Sequence, residues 1–285
     1  MGSLLLFLPI GVLAASTASI FIKLCDAPAL IIATYRMIFA SLMLLPYALY
    51  KRTGVTWERT ELGWLTLSGL FLSVHFAFWI ASLKYTSVAS SVVLVTTYPI
   101  FVGIGSHFFL KERTGLYLIF GIILSVLGSG LISYGDMAIS KEAFMGDGLA
   151  LLGAIAASGY FLVGRKMRKR QDLLSYILPV YSTAGFFLIV FSLLSQKTFF
   201  GYSWTTYLFL LLLALIPQLI GHTTINWALK YLPASMVALT YLGEPVGSTL
   251  LAYFILNEAL TPWKIFGGVL ILAGILTALK RKPPD

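Results

Sequence analysis

The chain is 285 residues long, and 59% of its residues are hydrophobic while only 11% are charged. A soluble globular domain carries about a quarter charged residues because its surface faces water, so this composition excludes an ordinary soluble fold and indicates a protein surrounded by lipid. The net charge of +9 does not indicate nucleic acid as a partner, because the basic residues lie in short segments between apolar runs. A single cysteine, Cys25, excludes an intramolecular disulfide, and no cysteine–histidine spacing typical of a metal site occurs.

Ten apolar runs follow one another along the chain, each close to the roughly 20 residues that a helix needs to cross a bilayer. They cover residues 4–22, 29–50, 62–83, 86–110, 115–135, 148–164, 174–194, 205–229, 234–256 and 263–280. Backbone polar groups in lipid need partners within their own segment, so these runs are predicted to be helices. The sequence therefore predicts an all-α polytopic membrane protein with ten transmembrane helices.

The distribution of lysine and arginine predicts how this protein is oriented in the membrane. Basic residues are concentrated in alternate connections, at Lys51–Arg52, Lys111–Arg113, Arg165–Arg170 and Lys280–Lys282. Cytoplasmic connections carry an excess of lysine and arginine. The pattern therefore predicts a multi-pass protein of the inner cell membrane with both termini in the cytoplasm.

The two halves of the sequence match each other at one constant offset. The matched pairs include Leu83–Tyr85 with Leu229–Tyr231, Pro99 with Pro245, and Glu112 with Glu258. We therefore predict two five-helix repeats, at residues 1–137 and 146–282. Five is an odd number, so the second repeat must enter the membrane inverted. Inverted repeats are typical of secondary transporters, although channels and some enzymes also contain them.

One acidic residue, Glu244, lies deep inside a predicted span. An ionised side chain in the membrane is costly, so it is a functional hypothesis by default. Tyr241 and Ser248 lie three and four residues away on the same helix face, and the position matched to Glu244 in the first half is Tyr98. We predict that this face lines a central cavity, where Glu244 binds an amino group or carries a proton. The alternative is that Glu244 caps the backbone freed by Pro245 or pairs with Arg36.

Two further groups of polar residues are candidates for the cavity. Gln218, His222 and Asn226 are spaced four residues apart in the eighth span, and His75 and Trp79 are one turn apart in the third. Such residues either join helices by hydrogen bonds or line a cavity. A histidine there could also relay protons.

Arg36 and two prolines complete the set of candidate residues. Arg36 lies inside the second span, where it either reaches the interface, cross-links helices, or contacts an anionic group of the substrate. Pro99 and Pro245 occupy the middle of the fourth and ninth spans. Because proline removes a backbone donor and kinks a helix, we predict that both helices bend there, as hinges or as static kinks.

Three segments carry a resemblance to a known family. They are the second span with its arginine, Pro28–Pro46, the stretch from Pro99 to the turn Leu110-Lys111-Glu112, and the stretch from Glu244-Pro245 to the turn Leu256-Asn257-Glu258. Together these segments resemble the EamA-like ten-helix branch of the drug/metabolite transporter superfamily, along the whole chain. Lys111 and Asn257 replace the glycine usual before the glutamate, a change that we expect to alter only the turn at the helix end.

The resemblance implies export or exchange of small metabolites, such as amino acids or related solutes. No nucleotide-binding motif occurs, so we expect a secondary carrier that works by alternating access, driven by the solute gradient or by a coupling proton. A channel is the main alternative. An intramembrane enzyme is disfavoured because no H-E-x-x-H or G-x-S-x-G motif occurs. We expect neither a cofactor nor a metal, no nucleic-acid partner, and a monomer or weak dimer in the bilayer.

Overall fold

A computed structural model describes residues 2–51, 57–112, 115–134 and 141–279. All regular secondary structure in these ranges is helical. The repeat boundaries predicted at residues 137 and 282 lie outside the described residues, as do the last residues of the fifth and tenth predicted spans. The basic residues Arg52, Arg113 and Lys280–Lys282, which contributed to the predicted orientation, also lie outside them.

The described helices follow the predicted spans closely. In chain order they are α1 (Gly2–Ser16), α2 (Ala18–Leu24), α3 (Ala29–Tyr50), α4 (Arg59–Ser82), α5 (Val88–Val95), α6 (Tyr98–Leu110), α7 (Leu116–Tyr134), α8 (Lys141–Arg168), α9 (Leu173–Leu194), α10 (Trp204–Leu213), α11 (Thr223–Ala228), α12 (Ala234–Thr240), α13 (Glu244–Leu256) and α14 (Pro262–Leu279). The pairs α1–α2, α5–α6, α10–α11 and α12–α13 each form one interrupted span. Eight spans are long and apolar enough to cross a membrane, and two shorter apolar helices lie within α7 and α14. The prediction of an all-α protein with ten helical spans is confirmed.

The fourth and ninth spans are interrupted where the sequence predicted bends. Helix α5 ends at Val95, and α6 begins at Tyr98 with Pro99 in its first turn. In the ninth span, a short 3₁₀ segment over Tyr241–Gly243 separates α12 from α13, which has Pro245 in its first turn. Proline is tolerated in the first turn of a helix because its missing N–H has no partner there. The interruption thus precedes each proline; whether either site acts as a hinge stays a prediction.

The eighth span contains a wide turn that the sequence analysis did not predict. Residues Ala214–His222 form a π-helix between α10 and α11, with Pro217 inside it. A proline inside a regular α-helix removes one hydrogen bond and clashes with the carbonyl four residues earlier. The π-helix is a rare structure, and it occurs frequently at functional sites.

The two halves end their broken spans with the same backbone geometry. Lys111 and Asn257 both have a φ of 54°, in the left-handed region. The amides of Glu112 and Glu258 return to the carbonyls of Ser106 and Ala252, at 3.1 and 3.2 Å. Such a turn normally favours glycine. Lys111 and Asn257 nevertheless adopt it, so replacing the family's usual glycine has left the turn at the helix end in place.

Helices α7 and α14 pack together at unusually short range. A Cβ atom on Gly121 would lie 2.7 Å from the carbonyl oxygen of Gly274, and one on Gly128 would lie 2.5 Å from that of Gly267. Only glycine allows two helix backbones to approach this closely. Elsewhere α4 packs against α8 and α9, α3 packs against α9, and α1 packs against the π-helix.

The only cysteine of the chain lies directly after α2. Cys25 is buried and free, and its Sγ atom is 4.0 Å from the carbonyl oxygen of Thr206. Burial raises the pKa of the Cys25 thiol to about 12, because the thiolate form loses its hydration.

Candidate functional site

A small cavity lies where the interrupted spans meet at the centre of the bundle. Its volume is about 20 Å³, which is room for about one water molecule. The cavity is lined by Ala15, His75, Trp79, Val95, Tyr98, Ala157, Tyr160, Phe161, His222, Ile225, Tyr241 and Glu244. These residues come from α1, α4, α5–α6, α8, α11 and the residues around the π-helix and the 3₁₀ segment. The space between these side chains is therefore too small for an organic solute in this conformation.

The structure places the predicted site residues in two groups. His75, Trp79, Tyr98, His222, Tyr241 and Glu244 line the cavity. Arg36, Gln218, Asn226 and Ser248 are fully or almost fully buried but lie behind the cavity wall. Whether residues of either group contact a solute stays a prediction.

Glu244 is the first residue of α13 and lines the cavity. Its backbone carbonyl accepts hydrogen bonds from the hydroxyls of Ser248, at 2.8 Å, and Ser16, at 3.4 Å. Within the described part of the chain, no hydrogen bond or ion pair reaches its carboxylate, so the pairing of Glu244 with Arg36 is not found. The Ser248 hydroxyl supports the backbone of this turn and does not line the cavity.

Tyr241 connects the two irregular segments. Its hydroxyl donates to the carbonyl oxygen of Gly221 in the π-helix, at 2.8 Å. The backbone of Gly221 in turn packs against Ala15, since an added Cβ would lie 3.1 Å from the Ala15 nitrogen. The 3₁₀ segment, the π-helix and α1 are thus joined at one point beside the cavity.

The side chains of His75 and His222 both line the cavity, and their ring centroids are 6.3 Å apart. His75 Nδ1 is 3.0 Å from the carbonyl oxygen of Gly153. A carbonyl only accepts, so this nitrogen carries a proton. The His75 ring stacks on Trp79, with 5.8 Å between centroids and 10° between planes. His222 Nδ1, by contrast, is buried and has no hydrogen-bond partner among the described residues.

Arg36 is fully buried within the bundle. Its Nε donates to Gln218 Oε1 at 2.9 Å, which links α3 to the π-helix. The guanidinium carbon lies 4.1 Å from the centre of the Phe76 ring, a cation–π contact. Two neighbouring donors, Arg36 Nη1 and Gln218 Nε2, make no hydrogen bond of normal geometry in the described part of the chain, and the Gln218 amide lies next to the Tyr181 hydroxyl.

Asn226 contacts the hydroxyls of two tyrosines, one in α8 and one in α9. Its Nδ2 lies 2.6 Å from the hydroxyl oxygen of Tyr160 and 3.2 Å from that of Tyr181. Tyr160 lines the cavity, and the Tyr181 hydroxyl is 3.3 Å from Thr223 Oγ1. In α8, Tyr160 directly follows four small residues at positions 156–159. A large polar side chain after such a run is a signal in the sequence that could have identified it.

Glu112 forms a second polar cluster, at one end of the bundle. Its Oε1 accepts from Arg165 Nε at 2.7 Å, and its Oε2 accepts from the backbone N–H of Ala234 at 3.1 Å. Arg165 also donates to the carbonyl of Leu229, at 2.8 Å. The glutamate after α6 therefore holds the start of α12, a role that the sequence analysis missed because it considered Arg165 only as a topology residue.

Comparisons with known proteins agree with this architecture. A solved structure described as "Crystal structure of protein" superposes with a TM-score of 0.80 over 98% of this chain and 96% of that chain, at 18% sequence identity. An "Uncharacterized transporter" of Archaeoglobus fulgidus is 26% identical over 98% of this chain and 97% of its own length. "Solute carrier family 35 member G1" of Homo sapiens is 26% identical, over 94% of this chain and 75% of the human protein.

The family comparison covers nearly the whole chain. The EamA-like transporter family matches twice, at residues 2–134 and again at residues 144–279. The related proteins are named as transporters and not as enzymes. The chain belongs to the EamA-like transporter family.

Proposed function

We propose that this transporter is a secondary carrier, which moves a small organic solute across the cell membrane by alternating access around the central cavity. The observation that carries the proposal is the position of the cavity. It lies where two interrupted spans and the π-helix meet, and irregular backbone at membrane depth is typical of transporter binding sites. A cavity of about 20 Å³ is too small for such a solute, so transport requires this space to widen.

The solute is proposed to be an amino acid or a related metabolite. Glu244 gives the cavity a carboxylate without a hydrogen bond or ion pair among the described residues, and Arg36 acts on it only from beyond ion-pair distance. An amino group of the solute would supply a close counter-charge. The walls formed by Trp79, Tyr98 and Phe161 offer aromatic surface to an apolar part of the solute. Export is the direction that the family resemblance implies.

The movement is proposed to be a rocking of two inverted repeats, residues 1–137 and 146–282. Pro99 and Pro245 follow equivalent interruptions in the two halves, so the halves could turn against each other at these points. The excess of basic residues in alternate connections supports cytoplasmic termini. Neither a second chain nor a cofactor enters this mechanism.

The coupling ion is proposed to be a proton, carried by Glu244. Protonation would remove the charge that holds an amino group, so binding of the proton and binding of the solute would compete at one carboxylate. His75 and His222 line the same cavity and could pass the proton onward.

The experiment is exchange of radiolabelled solutes by purified protein in proteoliposomes, with and without an imposed pH gradient. We expect saturable exchange that is stimulated by solute on the opposite side. Glu244→Gln should abolish the dependence on the pH gradient, because the amide cannot carry a proton.

Glu142→Gln is the matched control, because Glu142 is exposed in the first turn of α8. It lies about four helical turns before Ala157, the first residue of α8 that lines the cavity. Unchanged pH dependence in the Glu244→Gln protein would contradict the coupling role. Single-channel currents without stimulation from the opposite side would favour a channel over a carrier.

A further inference from the structure

Arg36 and Gln218 form a polar pair in the protein interior, and both side chains are fully buried, at 0% exposure. Their mutual hydrogen bond, from Arg36 Nε to Gln218 Oε1 at 2.9 Å, uses one donor of the guanidinium and the only acceptor of the amide. Arg36 Nη1 and Gln218 Nε2 make no hydrogen bond of normal geometry in the described part of the chain, although the Gln218 amide lies next to the hydroxyl of Tyr181. The pair therefore presents two unused N–H donors and one positive charge.

A buried guanidinium remains charged, since arginine is not deprotonated in proteins. Such a charge is normally paired, because burying an isolated charge is expensive. Among the described residues, no carboxylate lies within ion-pair distance of Arg36. Glu244 is the carboxylate that acts on Arg36 from beyond this distance. The Phe76 ring centre lies 4.1 Å from the guanidinium carbon, and this cation–π contact does not use the N–H donors of the guanidinium.

The pair lies close behind the wall of the cavity. The Phe76 ring that covers Arg36 packs edge-on against His222, with 5.2 Å between centroids, and His222 lines the cavity. His222 Nδ1 is a third buried polar atom without a partner among the described residues. The Phe76 ring thus lies between Arg36 and His222, in the wall of the space that must widen to admit a solute.

Gln218 is held by the irregular part of the eighth span. It follows Pro217 inside the π-helix, and such wide turns occur frequently at functional sites. An apolar residue at this position would fill the same space without leaving a buried donor unsatisfied. The matched position in the first half is Leu72, which is buried in regular helix α4.

These contacts lead to one inference, which rests on the proposed carrier function. We infer that the transported solute carries an anionic group, and that Arg36 and Gln218 bind this group through their free N–H donors when the cavity opens. A guanidinium beside an amide suits two oxygens of one acid group, either a carboxylate or a phosphate. In the present conformation the pair lies covered by Phe76.

Gln218→Glu separates anion binding from a structural role. The new carboxylate would keep the hydrogen bond to Arg36 and neutralise its charge. If the pair serves only to join α3 to the π-helix, this change preserves the link, and transport continues. If the pair binds an anion, we expect affinity for the anionic solute to fall at least tenfold while the protein remains folded.

The readout is the thermal unfolding midpoint of purified protein with matched pairs of probes. L-phenylalanine against L-phenylalaninamide tests a carboxylate while the amino group that could meet Glu244 is kept constant. Phenyl phosphate against phenol tests a phosphate. We expect the acid in one of the pairs to raise the midpoint of the wild-type protein and its neutral partner to have a smaller effect.

Gln196→Glu is the control, because it makes the same charge change at an exposed residue after α9. It should keep the wild-type response to both probe pairs. If Gln218→Glu fails to fold, Arg36→Lys tests the same site by removing the planar fork while keeping the charge.

The inference is overturned if no acid probe raises the midpoint, if acid and neutral probes act equally, or if Gln218→Glu responds like the wild type. The proposed carrier function has a separate test, since it fails when proteoliposomes exchange no solute of any charge. Binding of an acid probe without exchange would therefore contradict the carrier and leave the anion site supported.

Discussion

Helix α4 and the interrupted span α10–α11 occupy matched positions in the two halves, yet their backbones differ. Helix α4 runs without interruption from Arg59 to Ser82, while the other span widens into a π-helix around Pro217. The positions that carry Gln218, His222 and Asn226 in one half carry Leu72, Phe76 and Ile80 in the other. At these three matched positions, polar side chains accompany the irregular backbone and apolar side chains accompany the regular helix.

The fourth and ninth spans show the opposite relation. Both are interrupted at matched positions before a proline and end in the same left-handed turn. Their side chains nevertheless differ, because Val95 and Tyr98 stand where the second half has Tyr241 and Glu244. The two halves share this backbone arrangement, but most of the ionisable side chains that line the cavity belong to the second half.

The strongest test of this comparison is to make the eighth span resemble α4. Pro217→Ala restores the missing N–H and removes the clash that opposes a regular helix, so the turn should tighten and rotate Gln218 and His222 away from their present contacts. A displacement of about 1 Å at a site can cost about 100-fold in rate, and we expect a transport loss of that order. Solute exchange in proteoliposomes measures it.

Pro46→Ala is the control, since Pro46 is exposed near the end of α3, which stays helical around it. Equal activity of the Pro217→Ala protein and the wild type would mean that the π-helix has no part in transport, and the difference between the halves would then be structural only.

A smaller effect is expected from the hydrogen bonds of Asn226. Asn226→Leu removes the amide that contacts the hydroxyls of Tyr160 and Tyr181. Leaving buried hydroxyls unsatisfied costs about 1–3 kcal/mol, so the free energy of unfolding should fall by about 2 kcal/mol. Denaturation of the purified protein in detergent provides the measurement.

Leu72→Met in the first half should cost less than about 1.5 kcal/mol, because it conserves volume in an apolar environment. An equal loss of unfolding free energy in Asn226→Leu and Leu72→Met would contradict the comparison. The polar eighth span would then be no more sensitive to substitution than the apolar α4.

The smallest effect concerns the turns that the halves share. Lys111→Gly should stabilise the protein by about 1 kcal/mol, because a side chain in the left-handed region costs about 1–2 kcal/mol. Asn257→Gly should stabilise it less, since asparagine tolerates that region better than lysine does. Thermal unfolding midpoints of the two variants test whether the two helix ends are equivalent; a loss of stability in both would contradict the assignment of these turns.

The helical spans were predictable because lipid imposes a length and an apolar composition on every helix that crosses it. The predicted run 29–50 coincides with α3. The interruptions at Pro99 and Pro245 were also predictable, since proline acts through local geometry. Pro217 carried the same local signal, but whether a proline widens a helix, bends it or breaks it depends on its tertiary neighbours, which the local sequence does not specify.

The contacts within the candidate site could not be predicted from the sequence. The hydrogen bonds of Arg36 with Gln218 and of Asn226 with Tyr160 join residues that are 182 and 66 positions apart. The bond from Ala234 to Glu112, like that from Arg36 to Gln218, joins the first half of the chain to the second. Such contacts leave no periodic pattern in the sequence, because they depend on how whole helices pack.

The buried Cys25 has a practical consequence for measuring motion in this protein. It is the only thiol in the chain, and thiol reagents react with the thiolate, which burial of Cys25 disfavours at neutral pH. The native protein therefore provides a low labelling background without any mutation. A cysteine introduced at one chosen residue would be the main reactive group, so maleimide or spin labels could follow each end of each helix separately as the bundle opens.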